Sequence, residues 1–141
     1  MGEQTIQRRN TRQRKLVLDA VRAHHDHPTA DDIYNDVVRE DPRVSRGTVY
    51  RNLRLLEETG TIRCINAPGS NRFDWRVDDH VHAACRLCGR VVDVALPYDS
   101  AADAAVSRET GFSVTSHSTL FEGICPECQR KLAEQAEAEQ D

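Results

Sequence analysis

The 141-residue chain has no apolar run approaching the length of a bilayer span, which excludes a helical membrane protein. Its first residues, Met1-Gly2-Glu3-Gln4, lack the hydrophobic core of a secretory signal, so a cytoplasmic location is expected. No Ser/His/Asp arrangement and no glycine-rich phosphate loop is present, which argues against a hydrolase, a nucleotide-dependent enzyme or any small organic substrate. Repeats and low-complexity segments are absent too. What remains is a soluble globular composition, 38% hydrophobic and 30% charged, sized for one ordinary domain or two small ones.

The five cysteines are odd in number and mostly paired at short spacing, which reads as metal ligation in a reducing compartment rather than a disulfide framework. Cys85/Cys88 and Cys125/Cys128 form two Cys-x-x-Cys pairs. Two chelating pairs of thiolates suit one tetrahedral Zn²⁺, and a site closed by four cysteines is structural. The 36 residues between the pairs exceed a minimal zinc finger and allow a small α/β unit tied at both ends by the metal. Cys64 follows an apolar/polar alternation and reads as a half-buried strand residue, with nothing near it to lower its pKa.

The net charge of −4 is unevenly spread. Residues 1–76 hold 14 Lys/Arg against 11 Asp/Glu, whereas residues 77–141 hold 5 against 12, so only the first half is suited to a polyanion. Arg8, Arg9, Arg12, Arg14 and Lys15 lie close together near the start. Residues 11–24 are predicted to be a helix with Leu16, Val17, Ala20 and Val21 on one face. After the break at His27-Pro28, Thr29 is placed to cap a second helix, with Asp31 and Asp32 in its first turn and Ile33, Val37 and Val38 buried. Ser45 caps a third, carrying Val49, Leu53 and Leu56 inward and ending at Gly60. Residues 61–66 and 71–77 alternate about Ala67-Pro68-Gly69-Ser70, a hairpin signature.

Three helices and a hairpin make a winged helix-turn-helix. Its third helix would present Thr48, Tyr50, Arg51 and Arg54 to double-stranded DNA, with Arg12 and Arg14 in front and Arg72 on the wing. Asp78-Asp79 is the expected hinge, giving domains 1–78 and 79–141. Beyond it, strands are predicted over 90–96 and 112–121, a helix over 99–110 stopped by Gly111, and a charged helix from Pro126 whose last residues, 136–141, fray. The fold class is therefore α+β. His80 and His82, two apart on an extended segment, project to one side and can share a metal.

From Thr11-Arg12-Gln13-Arg14 onward the chain resembles the ferric uptake regulator (Fur) family. The likeness rests on His27-Pro28-Thr29-Ala30-Asp31-Asp32-Ile33-Tyr34, on Ser45-Arg46-Gly47-Thr48-Val49-Tyr50-Arg51-Asn52-Leu53, on Asp79-His80-Val81-His82-Ala83-Ala84-Cys85, and on the two cysteine pairs. The resemblance implies a homodimeric winged-helix repressor of operator DNA with an α/β dimerisation domain and a metal that holds the DNA-binding shape. It is strongest to the peroxide-sensing (PerR-like) branch. That likeness implies a regulatory Fe²⁺ or Mn²⁺ site of His27, Asp74, His80, His82 and Asp93, and release from DNA when iron-catalysed oxidation turns His27 or His80 into 2-oxo-histidine. Asp74 stands where iron and zinc sensors of the family often carry Glu. Val81 and Ile124 stand where a further site would need polar donors, and His117 reads as a strand residue with an ordinary hydrogen bond.

Three other readings are carried forward. The first is an iron-responsive regulator that does not sense peroxide. A dithiol redox enzyme would expect one reactive pair at a helix start and leaves the basic helix without a role. A zinc-ribbon adaptor would treat the His/Asp set as incidental and bind one metal per chain.

Overall fold

A computed structural model describes residues 2–78 and 80–139, so half of the expected Asp78-Asp79 hinge lies outside the described residues, as does the end of the tail. The elements are α1 (Gly2–Ala23), α2 (Ala30–Glu40), α3 (Arg46–Glu58), β1 (Arg63–Ile65), β2 (Arg72–Asp74), β3 (Val81–Cys85), β4 (Val91–Val94), α4 (Ser100–Thr110), β5 (Thr119–Gly123) and α5 (Pro126–Glu139). The chain divides into two units, Met1–Asn66 with Ser70–Val77, and Ala67–Gly69 with Asp78–Asp141.

The first unit is three helices and a short hairpin around one core. Val17 and Val21 of α1, Ile33 and Val37 of α2, and Val49, Leu53 and Leu56 of α3 are buried together with Val44, Ile62 and Phe73. Each such side chain stabilises the unit by about 1.5–3 kcal/mol relative to exposure. The caps expected from sequence form: Thr29 Oγ1 accepts from the Asp32 amide while Asp32 reaches back to the Thr29 amide, and Ser45 Oγ accepts from the Thr48 amide. α1 is longer than the apolar pattern predicts, running back through the basic stretch to Gly2. Val38 is only half-buried, and the hairpin strands are three residues each, in antiparallel register with Cys64 opposite Phe73.

In the second unit a three-stranded sheet has the order β4-β3-β5, with β3 antiparallel to β4 and parallel to β5. Arg86 donates its amide to the Gly123 carbonyl at 2.8 Å, and Gly89, at φ +78°, turns the chain so that Cys85 bonds Arg90 at 2.8 Å and β4 folds back on β3. Asp99 caps α4, and Gly111 ends it in the left-handed conformation at φ +76°. The strand expected over 112–121 is restricted to Thr119–Gly123. Ahead of it the Val114 amide bonds Ser107 Oγ and the His117 amide bonds the Tyr98 hydroxyl, so side chains from α4 and its approach replace a strand partner. α5 continues to Glu139, so 136–139 are helical rather than frayed. No described helix is long and apolar enough to cross a membrane.

One ionic contact closes the gap after α1. His24 Nε2 lies 2.6 Å from Asp36 on α2, and its Nδ1 lies 3.1 Å from Asp26. Burial, the largest influence, pulls the His24 pKa down, but the hydrogen bonds and charges of Asp36 and Asp26 outweigh it and leave it raised above 6.5. A raised folded-state pKa gives stability that is complete below the unfolded value and lost as pH rises through the folded one. The urea midpoint of the native protein should therefore exceed that of His24→Asn below about pH 6.5 and converge on it at higher pH. An unchanging gap would show that His24 contributes no charge.

Candidate metal centres and nucleic-acid face

The two Cys-x-x-Cys pairs meet. Cys85 ends β3, Cys88 stands on the turn before β4, Cys125 precedes α5 and Cys128 lies in its first turn. The four sulfurs lie within 4.8 Å of one another, and those of Cys88 and Cys125 are 3.8 Å apart. Four thiolates at about 2.3 Å from a tetrahedral Zn²⁺ stand about 3.8 Å from each other, so the cluster has the right size for that ion. Amide groups already point at the sulfurs: Cys125 N–H reaches Cys85 Sγ and Cys128 N–H reaches Cys125 Sγ, both at 3.4 Å. The Cys125 amide, with that of Cys88, pulls the Cys85 thiol down to about 6. The hydrogen bond that the Cys128 thiol donates to Cys125, with burial, pushes Cys128 up to about 12. Cys64 sits apart in β1, half-buried, its thiol pushed up to about 11 chiefly by burial.

Two further groups of nitrogen and oxygen donors lie one in each unit. In the first unit, His27 Nε2 is 3.4 Å from Asp74 Oδ2, and both residues are buried. The segment carrying His27 is strapped to β2, since Arg72 Nη1 donates to the His27 carbonyl at 2.8 Å and Phe73 N–H to the Pro28 carbonyl at 2.9 Å. The Arg76 amide holds Asp74 Oδ1 at 2.9 Å. In the second unit, His82 and Asp93 are cross-strand partners in the β3–β4 register, with Nε2 and Oδ1 3.3 Å apart. His80 Nε2 lies 3.4 Å from the same oxygen, and the two imidazoles are 4.2 Å apart.

The chemistry of these donors fits a cation. A carbonyl oxygen only accepts, so the 2.8 Å contact between His80 Nδ1 and Asp78 O places the proton on Nδ1 and leaves the Nε2 lone pair towards Asp93. An imidazole lone pair and a carboxylate facing each other at 3.4 Å repel unless a proton or a metal lies between them. Orienting a ligating imidazole through its other nitrogen is what metal sites do generally.

The helix-turn-helix face is partly as expected. Tyr50, Arg51 and Arg54 are exposed on α3, and Arg12 and Arg14 are exposed on α1. Thr48 is not exposed: it is buried at the helix start, its hydroxyl 2.9 Å from Ser45 Oγ and accepting from Arg51 at 3.1 Å, so it serves the cap. Arg72 is committed to the His27 carbonyl at the root of the hairpin instead of standing out from a wing. Helical projection does not reveal such commitments: Thr48 is engaged by Ser45 and Arg51 within its own helix and cap, and Arg72 by a partner 45 residues away.

Three charged clusters had no signal in spacing. Asp41, buried at the end of α2, accepts from the Arg43 amide and Nε at 3.1 Å and lies 3.7 Å from Arg12. Arg43, with Arg12 beyond it, holds its carboxyl below the usual range. Asp103 on α4 accepts from the Tyr98 hydroxyl and lies 2.5 Å from His117 Nδ1, and first Tyr98, then His117, lower its pKa. His117 is therefore no strand residue, but is stacked on Tyr98 with centroids 4.6 Å apart. Asp31 on α2 accepts from both Arg46 and Tyr50 of α3.

Protein purified without chelator should hold about one Zn²⁺ per chain on the thiolates. Cys128→Ser should lose it and abolish the cooperative melting of the second unit, with Cys64→Ser changing neither. Zinc retained by Cys128→Ser at native stoichiometry would contradict a four-cysteine centre.

Comparison with known proteins gives a consistent answer. The sequence profile of the ferric uptake regulator family matches residues 5–121. The peroxide operon regulator of Bacillus subtilis (strain 168) is 38% identical over 124 residues, 87% of this chain and 86% of that protein. The peroxide-responsive repressor PerR of Staphylococcus aureus (strain USA300) is 36% identical over 124 residues, 87% of this chain and 84% of that one. Among solved structures, the Campylobacter jejuni peroxide stress regulator superposes with a TM-score of 0.73 at 28% identity, covering 89% of this chain and 95% of that chain. The profile takes in the helices of the first unit, all five nitrogen and oxygen donors and the first cysteine pair, and the chain belongs to the ferric uptake regulator family, transcription regulators and not enzymes.

Proposed function

We propose that this metal-dependent transcriptional regulator is a cytoplasmic repressor that binds double-stranded operator DNA as a homodimer and releases it when hydrogen peroxide meets an Fe²⁺-loaded regulatory site. The observation that carries the reading is how the five donors are distributed. His27 and Asp74 belong to the unit that bears α3, whereas His80, His82 and Asp93 belong to the unit that bears the cysteine cluster. Ligation of one ion by both groups would fix the angle between the units, and losing a ligand would free it. The similarity to peroxide regulators from Bacillus subtilis and Staphylococcus aureus supports the choice of signal.

The donor set contains imidazole and carboxylate but no thiolate, which suits Fe²⁺ or Mn²⁺, while the four cysteines suit a structural Zn²⁺. When bound, Fe²⁺ supplies the one-electron chemistry that activates peroxide, and Mn²⁺ does not. On this reading His27 or His80 would take up one oxygen atom of the peroxide, the other leaving as water. A ring carrying that oxygen is a poorer ligand, and the change is irreversible. Arg72 holds the backbone carbonyl of His27, and the Asp78 carbonyl orients the His80 ring through Nδ1.

Two further observations support the partners. The second unit exposes Leu96, Val106, Phe112, Phe121 and Leu132, Phe112 to 71%, on a unit whose sheet has two open edge strands. Such a surface suits a second copy related by a two-fold axis. Tyr50, Arg51 and Arg54 on α3 with Arg12 and Arg14 on α1 suit the groove and phosphates of DNA, two copies reading a palindrome.

The test uses anaerobically reconstituted Fe²⁺ and Mn²⁺ proteins, a duplex selected by the protein from a randomised pool, and peptide mass mapping before and after stoichiometric peroxide. Binding should be lost only in the Fe²⁺ form, with one added oxygen on the His27 or His80 peptide. Equal loss in the Mn²⁺ form would contradict the mechanism. Fe²⁺-dependent binding that survives peroxide with unmodified histidines would make the protein an iron-responsive regulator.

A further inference from the structure

Asp31 sits in the first turn of α2 and faces the start of α3. One of its carboxylate oxygens, Oδ1, takes two donors at once: the Arg46 guanidinium and the Tyr50 hydroxyl, the latter at 2.7 Å. The Arg46 guanidinium also lies 4.4 Å from the centroid of the Tyr34 ring, so two residues one turn apart on the same face of α2 hold it. The side chains of Asp31 and Arg46 remain 65% and 53% exposed, and an ion pair this exposed contributes little to folding. Its effect is instead on geometry, because Arg46 and Tyr50 occupy the first two turns of α3, where a recognition helix meets base edges.

We propose that Asp31 is a positioning residue of the DNA interface that makes Tyr50 a hydrogen-bond acceptor for base edges and withholds Arg46 from the phosphate backbone. This rests on the DNA-binding reading above. A phenol whose proton is committed to a carboxylate presents only oxygen lone pairs outward. Such an oxygen accepts from the amino groups of adenine N6 or cytosine N4 in the major groove and is repelled by guanine O6 and N7, thymine O4 and phosphate oxygens. Arg46, paired with Asp31, adds no net cation at that point and releases no counterion from DNA. Without Asp31, the Tyr50 proton can turn to any acceptor and Arg46 becomes a mobile cation near phosphates. Contacts that carry no sequence information then grow as those that carry it weaken.

The experiment compares Mn²⁺-loaded wild type, Asp31→Ala, Asp31→Glu, Tyr50→Phe and the double variant Asp31→Ala/Arg46→Ala. Each is titrated against the duplex selected by wild type and against a scrambled duplex, over a range of salt, with thermal melts confirming the fold. Asp31→Ala should bind the scrambled duplex more tightly, with a log–log salt slope steeper by about 0.9, the value of one added phosphate contact. Its selected-to-scrambled affinity ratio should fall about tenfold, as expected for one misread base pair. Tyr50→Phe should lower the ratio similarly without steepening the slope, the double variant should return the slope to the wild-type value, and Asp31→Glu should keep the ratio near wild type. An Asp31→Ala protein with wild-type ratio and slope overturns the assignment. A wild type that selects no duplex from the pool overturns the DNA-binding reading itself.

Discussion

Four cysteine sulfurs within 4.8 Å of one another form the interaction on which the second unit depends. That unit has little else to hold it. The contiguous hydrophobic core lies wholly in the first unit, while α4 buries none of its residues and the three-stranded sheet buries only Val81, Ala84, Cys85 and Val91 among its apolar side chains. A fold this poor in buried apolar surface needs a metal or a partner chain. The cluster ties the end of β3 to the first turn of α5 across 36 residues of chain, so metal binding there is folding free energy. By keeping β3 and β4 in register it also holds His82 opposite Asp93.

The first unit works by different means. Its three helices pack around Val17, Ile33, Leu53 and their neighbours without help, and the small hairpin serves chiefly as an anchor. Through Arg72 and Phe73 the hairpin grips residues 27 and 28, which sets His27 beside Asp74. His27 and Asp74 thus belong to the same unit as α3. An event at His27 is in the same unit as α3, which is how the proposed loss of ligation would reach the DNA-binding helix.

Much of this was readable from sequence because the governing interactions are local. Thr29 and Ser45 cap helices through amides within three residues, Gly111 ends α4 because the left-handed conformation favours glycine, and Cys-x-x-Cys chelation needs only a tight turn. Errors came where a distant partner decided the outcome. The alternation of Phe112 and Val114 resembles a strand, yet Ser107 and Tyr98 satisfy the backbone amides of 114 and 117. The basic stretch before residue 11 carries no apolar period, yet continues α1. Thr48 and Arg72 are expected from sequence to face DNA, and Asp31 to serve the first turn of α2; their contacts with Ser45, with the His27 carbonyl and with α3 carry no signal in the sequence. The five donors are a middle case: the His-x-His spacing is local, but adding His27, Asp74 and Asp93 required family resemblance.

The central claim is that one regulatory ion draws ligands from both units, and calorimetric titration of Mn²⁺ into zinc-loaded protein tests it most directly. Asp74→Ala, in the first unit, and Asp93→Ala, in the second, should each weaken Mn²⁺ binding by at least about tenfold, the scale of removing a ligand or its support. Native Mn²⁺ affinity in Asp74→Ala would confine the site to the second unit and contradict the account.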